Sequence, residues 1–254
     1  MSDADQTRVD MHTKLLDERV VSRAKQRGID VLVYAPHFTR LPQIKAQAAA
    51  YSDSELLVVP AREVFTGDWN NRRHLLAIGL DEPVADFITF EGAMAEFDRQ
   101  DAAVVVPHPE FMNVSLTHPE IRAHAARIDA VETYCAKLFP YQNRRGQRIA
   151  ADLDLPGFGS SYAHLPGTVG EAWTRFDRRI DSTDDLVDAL TTGGDRQVIH
   201  RSGLGHRGRR VLEYGHLGYE NSGKKIDRLL LSGDEPTHPR NLLYQGRFDD
   251  VRVY

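Results

Sequence analysis

The sequence predicts an α/β fold in which successive β-α units form a parallel sheet or a barrel. Two observations support this prediction. Short apolar runs that favour strands alternate with segments of helical periodicity, and histidines recur where the strand-like runs end. With 254 residues, the chain is long enough for one barrel with an appendage.

Seven strand-like runs follow one another along the chain. In order they read TRVDMH, IDVLVYAPH, ELLVVPAREVFT, RHLLAIGL, AAVVVPHP, DAVETYC and GFGSSYAH. Helical segments lie between most of them, with the sequences KLLDERVVSRAKQRG, LPQIKAQAAAYS and THPEIRAHAARI, and over residues 88–99 and 141–152. The first of these helices places Leu15, Val20 and Ala24 on one apolar face and ends at Gly28.

The chain changes character after the seventh run. EAWTRFDRRI is strand-like, and STDDLVDALTTGG predicts a helix capped by Ser182 or Thr183. From about His200 the sequence is rich in glycine and arginine and has helical periodicity. We therefore predict a barrel domain over residues 1–199 and a basic, mainly helical extension over residues 200–254.

Composition excludes several classes of protein. The net charge of −5 does not indicate a nucleic-acid partner for the whole molecule, although positive charge is concentrated between residues 200 and 228. No apolar run approaches the roughly 20 residues of a membrane helix, and the polar, acidic start is unlike a secretory signal. The single Cys135 excludes an intrachain disulfide and a multi-cysteine zinc site. We expect a cytoplasmic protein without membrane contact, and the sequence leaves its oligomeric state open.

Histidines and one carboxylate form the clearest chemical pattern. Four histidines stand at or beside the carboxyl ends of predicted strands, a fifth opens a strand, and a glutamate lies within the third strand; they are His12, His37, His108, His164, His74 and Glu63. In β/α barrels the carboxyl ends of the strands meet at one face, and imidazoles with a carboxylate are metal ligands. A single strand-end histidine is more simply explained as a hydrogen-bonded, partly buried ring, but five such histidines together with a carboxylate predict a metal site. The other six histidines are expected on the surface.

The order of short motifs resembles the PHP family, which is named after polymerases and histidinol phosphatase. The motifs are DMH, DVLVYAPH, VVPAREV, HLLAIGL, VVPHP and SSYAH followed by GTVGEAWT, and they span roughly residues 7–195. Family members typically carry Asp-x-His-x-His, Thr-Asp-His, Gly-x-Glu, His-x-x-x-x-Gly, Pro-His-Pro and Gly-Ser-Asp-Ala-His in this order. The resemblance implies a distorted (β/α)7 TIM-like barrel that binds up to three divalent ions of zinc, manganese or iron and hydrolyses phosphoester bonds.

The resemblance also implies roles for individual residues. By position in the motifs, the metal ligands are His12, His37, Glu63, His74, His108 and His164. Glu63 would bridge two metals and would form a complete ligand set for one of them with His74 and His108. The catalytic residues that we predict are Glu63, Lys14 and His164.

Three motif positions depart from the family pattern. Lys14 replaces the second histidine of the first motif, Pro36 replaces the aspartate of the second, and Tyr162 replaces the aspartate of the last. The missing histidine and the missing late aspartate bind the same metal in the family, so we predict one or two metal ions rather than three. Asp17 is a candidate for a further early ligand, at a shorter spacing than is usual.

Lys14 has two interpretations. An ammonium group is a compact cation with three donors. Lys14 would therefore place its charge where the first metal sits in the family and donate to Glu63, while Tyr162 fills the space of the missing aspartate. Alternatively, Lys14 extends to solvent beside a decayed site.

Three functions are compatible with these residues. The first is a metal-dependent phosphatase or phosphodiesterase that acts on a phosphorylated small molecule or a nucleotide through a reduced metal site. The second is a catalytically weak or inactive PHP module that binds nucleic acid, through residues 200–228, or a protein partner. The third is a hydrolase that acts at a carbon centre, as amidohydrolase barrels do, which the motif order argues against.

Further residues are candidates for the surroundings of the site. Arginines that would stabilise phosphoryl oxygens are Arg62, Arg72, Arg73, Arg144 and Arg145, and Trp69 is a candidate for the mouth of the pocket.

Overall fold

The computed structural model describes residues 6–68, 71–112, 114–219 and 236–253. Nine strands in this part of the chain form one sheet: β1 (Thr7–Thr13), β2 (Val31–Tyr34), β3 (Leu57–Thr66), β4 (Arg73–Ile78), β5 (Ala103–Val106), β6 (Ala130–Cys135), β7 (Gly157–Ser160), β8 (Ala172–Phe176) and β9 (Arg196–His200). The helices are α1 (Glu18–Gln26), α2 (Leu41–Tyr51), α3 (Phe90–Arg99), α4 (His118–Ala123), α5 (Pro140–Leu153), α6 (Thr183–Thr191) and α7 (Leu204–Tyr219). No helix within these ranges is long and apolar enough to cross a membrane.

The sheet curls into a nearly closed barrel. The strand order is β7-β6-β5-β4-β3-β2-β1-β8-β9. At the ends of β1 and β7, Thr13 pairs with Ala163 in parallel, and the Lys14 backbone N–H donates to the Ala163 carbonyl at 2.9 Å. These contacts bring the first and seventh strands together and confirm the α/β barrel predicted from the sequence.

The direction of β4 explains why one histidine opens a strand. Strands β1, β2 and β3 run parallel to one another, but β4 is antiparallel to β3 and pairs Phe65 with His74. The start of β4 therefore lies at the rim of the barrel where β3 ends. A residue at the beginning of β4 and residues at the ends of the parallel strands consequently share one mouth.

Alternating side chains fill the barrel below this mouth. Ala61 of β3 and Leu76 and Ile78 of β4 point inward and are buried. Leu186 and Leu190 of α6 join the same apolar cluster. Because Ile78 ends β4 at the rim opposite the mouth, α6 closes the far end of the barrel.

The first helix begins later than its apolar periodicity predicts. Asp17 precedes α1, and its carboxylate accepts the Val20 backbone N–H at 2.9 Å. This contact is an N-cap, which satisfies a backbone donor that the first helical turn leaves unpaired. The suggested role of Asp17 as a metal ligand is therefore wrong, because its carboxylate is committed to the helix end.

The described parts of the C-terminal segment pack against the barrel. Tyr244 and Phe248 belong to a buried apolar cluster with β3 and β4 side chains, and the Val253 backbone N–H donates to the Phe87 carbonyl at 2.8 Å. Helix α7 brings the buried Glu213 to the mouth of the barrel. Residues 220–235, which include Lys224, Lys225 and Arg228 of the basic segment, lie outside the described residues.

Candidate metal centre

Five of the six predicted ligands, Glu63 and four histidines, meet at the mouth of the barrel. The Oε2 atom of Glu63 lies 2.6 Å from His37 Nε2. Its Oε1 atom lies 3.1 Å from His108 Nε2, 3.3 Å from His74 Nδ1 and 3.8 Å from His12 Nε2. Glu63 is fully buried, so one carboxylate inside the barrel faces four imidazole rings contributed by separate strands and loops.

Lys14 occupies one side of this carboxylate. Its ammonium Nζ lies 2.5 Å from Glu63 Oε2 and donates to the Ala35 carbonyl at 2.6 Å, and its side chain is only 5% exposed. Lys14 therefore does not extend into solvent. The Tyr162 ring lies beside it, with 5.7 Å between the ring centre and Nζ, and packs against the His12 ring in a tilted arrangement with 4.6 Å between ring centres.

Lys14 and Glu63 shift each other's pKa. Burial lowers the pKa of Lys14 to about 8, and the attraction of Glu63 offsets only part of that effect. Burial alone would raise the pKa of Glu63, but the Lys14 charge and the other neighbours hold it well below its usual value. Glu63 is therefore a carboxylate at neutral pH, which is the form that binds metal.

Three of the histidines around Glu63, namely His12, His37 and His108, are neutral at the same pH. Burial, together with the nearby charge of Lys14, lowers the pKa of His37 to about 3 and that of His12 well below its usual value. Burial also lowers the pKa of His108. Neutral imidazole is the form that coordinates a metal, so binding would not need to displace protons from these rings.

The donor atoms fit a divalent metal ion. Within the described residues, Glu63, His74 and His108 offer three ligand atoms that lie within 4.8 Å of one another. Both ring nitrogens of His74 and of His12 are buried and make no hydrogen bond there. A buried polar atom without a partner costs free energy, which metal coordination would recover. His108 Nδ1 lies 2.8 Å from Ser115 Oγ, which orients the ring with Nε2 toward Glu63.

Two charged residues that the sequence analysis missed lie beside His164. The ammonium Nζ of Lys137 is buried, lies 2.7 Å from His164 Nδ1, and sits 4.3 Å from the centre of the Tyr162 ring. Glu213 accepts the backbone N–H of His164 at 2.8 Å. Lys137 follows the end of β6, so the strand-end rule applied to lysine as well as histidine would have found it. Glu213 lies on α7 and has no such signal.

Glu132 supports the His108 backbone from below. Its carboxyl group lies 2.5 Å from Ser160 Oγ and accepts the His108 N–H at 2.6 Å. His108 has a φ of 32°, a left-handed value that a non-glycine residue adopts only when its surroundings hold it there. Burial raises the pKa of Glu132 to about 8, so its carboxyl group is protonated at neutral pH in the folded chain.

We expect Glu132→Gln to remove a fall in stability between about pH 5 and pH 8. Glu132 has an ordinary pKa of 4.5 and a folded-state pKa of about 8, so in this window only the unfolded chain releases the proton. The contribution of Glu132 to stability therefore decreases as pH rises, by about 1.4 kcal/mol for each unit of pKa difference. Urea unfolding with a chelator at pH 5 and pH 8 measures this loss. Glu55→Gln, at an exposed site, is the control, and an unchanged pH dependence in Glu132→Gln would contradict the assignment.

Two predictions are wrong, one about a surface histidine and one about an arginine at the mouth of the barrel. His206, expected on the surface, is buried on α7, and its Nδ1 lies 2.6 Å from Glu171 Oε2. Arg62, a candidate for the mouth, points to the outer side of β3 and pairs with buried Asp86 at 2.9 Å. Neighbouring positions on a strand face opposite sides, so Arg62 cannot share the mouth with Glu63. Trp69 lies outside the described residues.

The fold and the site define an α/β barrel protein with a buried histidine and carboxylate cluster at its mouth. The PHP-associated family profile matches residues 140–194, which run from α5 to α6. Among solved structures, PsfC from Pseudomonas syringae superimposes with a TM-score of 0.65 at 17% identity, over 84% of this chain and 98% of that chain. No protein with a curated description matches the sequence.

Two further solved structures have the same fold. A two-domain protein from Bacteroides vulgatus that contains a predicted PHP-like metal-dependent phosphoesterase superimposes with a TM-score of 0.57 at 16% identity, over 77% of this chain and 65% of that chain. The lesion-specific endonuclease PfuEndoQ from Pyrococcus furiosus gives a TM-score of 0.55 at 15% identity, over 76% of this chain and 57% of that chain. Together with the family match, these structures confirm the predicted resemblance to the PHP family and its barrel.

Proposed function

We propose that the protein is a metal-dependent hydrolase of phosphoester bonds, a phosphatase or phosphodiesterase, with a reduced metal site. The observation that carries this proposal is the buried group of Glu63, His74 and His108, whose donor atoms converge at the mouth of the barrel. The proposal includes one or two ions of zinc, manganese or iron, and a phosphorylated small molecule or a nucleotide as substrate. The single Cys135 favours a reducing compartment, and the proposal places the enzyme in the cytoplasm.

One ion would be held by Glu63, His74 and His108. A second position would be held in part by His12 and His37, which lie close to Glu63. When bound, a divalent ion supplies Lewis acidity toward a phosphoryl oxygen and lowers the pKa of water. The carboxylate of Glu63 is the only negative group that the described cluster contributes to this position. Its ionised state at neutral pH is therefore a requirement of the proposal.

Two ammonium groups would bind the phosphoryl oxygens. Lys14 and Lys137 are both buried around the Tyr162 ring, with Nζ atoms 5.7 and 4.3 Å from its centre. Positive charge that is already positioned in a site of low dielectric stabilises charge developing in the transition state more than solvent does. Lys14 would thus replace one metal ion as the source of positive charge beside Glu63.

His164 would move a proton. An ammonium group has no acceptor, so Lys137 donates to His164 Nδ1 and the ring hydrogen lies on Nε2. The short contact to a charged donor outweighs the longer one between Nδ1 and the Tyr162 carbonyl at 3.1 Å. The Nε2–H group can then donate its proton to the leaving oxygen of a phosphoester while Nδ1 takes a proton from the Lys137 ammonium, so the ring stays neutral and Lys137 becomes an amine.

The binding-module alternative is not favoured. It assigns the work of the protein to the C-terminal segment, whereas the donor set at the barrel mouth is retained and contains buried, unsatisfied imidazole nitrogens. Such nitrogens are costly to keep in a site that no longer binds metal.

Removing either His74 or His108 is expected to abolish both metal binding and phosphate release. Residues that merely orient a ligand change metal affinity by about 10- to 100-fold, so His74→Ala and His108→Ala should each lower affinity and rate by at least about 100-fold. Elemental analysis of the purified chain, alongside a panel of phosphomonoester and phosphodiester substrates, measures both properties.

His118→Ala is the matched control, because this histidine lies on α4 outside the cluster. Unchanged phosphate release in both cluster variants, or full release by metal-free protein, would refute the proposed function. Metal binding without turnover of any phosphoester would support the metal site but refute the hydrolase activity.

A further inference from the structure

A cavity on the outer side of the barrel concentrates arginines away from the metal centre. It has a volume of about 560 Å³ and lies between α1, the end of β9 and the start of α7. Four arginines line it: Arg23 and Arg27 of α1, Arg201 after β9 and Arg209 of α7. No carboxylate is among its described lining residues. We call this feature the arginine cavity.

One buried carboxylate behind the wall holds two of these arginines. Glu171 Oε1 lies 2.6 Å from an Arg27 guanidinium nitrogen and 3.2 Å from an Arg209 guanidinium nitrogen. Burial alone would raise the pKa of Glu171, but the hydrogen bond from His206 and the charge of Arg27 lower it, so it remains ionised. Only two of the four guanidinium groups pair with this carboxylate, so the cavity keeps an excess of positive charge.

The arginines are positioned by the backbone as well. Arg27 donates to the Val169 carbonyl at 2.6 Å, and Arg201 donates to the Gly170 carbonyl at 3.2 Å while its guanidinium lies 5.7 Å from the centre of the Trp173 ring. Each guanidinium carries five N–H donors in a planar fork, and these contacts involve one or two of them. Fixed forks of this kind match the oxygens of phosphate groups in two-point contacts.

Helix α7 adds a second source of positive potential. Ser202 and Gly205, at its amino end, line the same cavity. The N–H groups of a first helical turn have no partner within the helix, and the positive end of the helix dipole attracts anions. This 16-residue helix therefore directs its anion-binding end at the space that the arginines surround.

The arginine cavity is distinct from the metal centre. His206 lines its inner side and Glu171 lies behind this wall, whereas Lys137 and Glu213 lie beyond both, toward His164. A ligand in the cavity would therefore contact neither Glu63 nor the histidines around it.

We infer that the arginine cavity binds a compact polyanion of linked phosphate groups, a diphosphate or triphosphate, either inorganic or at the end of a nucleotide. The excess of guanidinium groups calls for more than one negative charge, and the cavity volume is in the range of small-molecule sites. The forks of Arg23 and Arg201 and the amino end of α7 contact the phosphate oxygens.

Titration calorimetry of the full chain in excess chelator tests this site, since the chelator prevents phosphate from binding through a metal. The wild-type protein is titrated with phosphate, diphosphate, triphosphate and ATP at low salt. We expect one saturable site per chain that prefers diphosphate and triphosphate to phosphate. Equal affinity for triphosphate and ATP identifies the phosphate chain as the whole ligand, whereas tighter binding of ATP identifies a nucleotide.

Arg23→Gln/Arg201→Gln should weaken diphosphate binding by at least about 10-fold, because each charge-assisted contact contributes on this scale. Arg19→Gln/Arg179→Gln removes the same charge from exposed positions and should change it by less than about 2-fold. If the first variant does not fold, Ser202→Asp places a negative charge at the exposed rim of the cavity and should weaken binding likewise.

Absence of saturable diphosphate binding by the wild-type chain would overturn the inference. So would equal weakening in both double variants, which indicates diffuse surface charge. A 20-base-pair DNA duplex that binds more tightly than triphosphate and is weakened equally by both variants would show a nucleic-acid surface instead. None of these measurements depends on phosphoesterase activity, so the arginine cavity and the proposed function can fail separately.

Discussion

Glu63→Gln is expected to destabilise the metal-free protein by about 3–5 kcal/mol. The substitution leaves the Lys14 ammonium buried without its carboxylate, and a broken buried ion pair costs on this scale. Lys14→Met should have a similar cost, because it leaves the Glu63 carboxylate buried without its ammonium partner. The double variant Glu63→Gln/Lys14→Met removes both charges at nearly constant volume and should recover most of the loss.

Urea unfolding of the four proteins in chelator gives the coupling free energy directly. A double variant that loses the sum of the two single losses would show that the Lys14–Glu63 contact carries no coupling. Arg19→Gln/Asp17→Asn provides a matched control cycle at an exposed pair, where the coupling should be below about 1 kcal/mol.

The double variant Lys14→His/Tyr162→Asp should bind one more equivalent of metal than the wild-type chain. Lys14 places its positive charge 2.5 Å from Glu63 Oε2, and that charge repels a cation there. The substitution replaces the ammonium with an imidazole, and the resemblance to the PHP family implies that an aspartate at position 162 completes the ligand set. Tyr162 has a φ of 47°, a left-handed value that aspartate tolerates better than most residues, so the backbone accepts the change.

Elemental analysis after dialysis against zinc or manganese measures this gain. Lys14→Gln is the control, because it removes the charge without supplying an imidazole and should add less than a full equivalent. Three equivalents in the wild-type protein, or no gain in the double variant, would refute the idea that Lys14 replaces a metal ion.

Most residues of the site were predicted from their positions relative to the ends of the strands. His12 and His108 could be chosen from the sequence because the ends of parallel strands must converge in a barrel, whatever the details of packing. The direction of β4 could not be predicted in this way. The sequence shows that a histidine opens this strand, but not that the strand is antiparallel to β3.

Residues contributed by helices and loops could not be predicted in the same way. Glu213 reaches the His164 backbone from α7, 49 positions along the chain, and His206 becomes buried because Glu171 accepts its ring N–H. Neither contact produces a periodic pattern in the sequence, because both depend on where α7 packs against the barrel. Arg62 was misplaced because its charge suggested the mouth, whereas its strand position places it on the opposite face, with Asp86.

The sequence by itself determined the succession of strands and the set of imidazoles and one carboxylate at their ends, because both follow from local periodicity and from the closure of a barrel. Only the tertiary structure decided which of these groups Lys14 contacts and which face of the barrel Arg62 occupies. It also decided that Arg23 and Arg201 share a cavity. The physical reason is that a charged side chain is long and takes its position from the partners that folding brings near it, whereas a strand-end residue takes its position from the sheet.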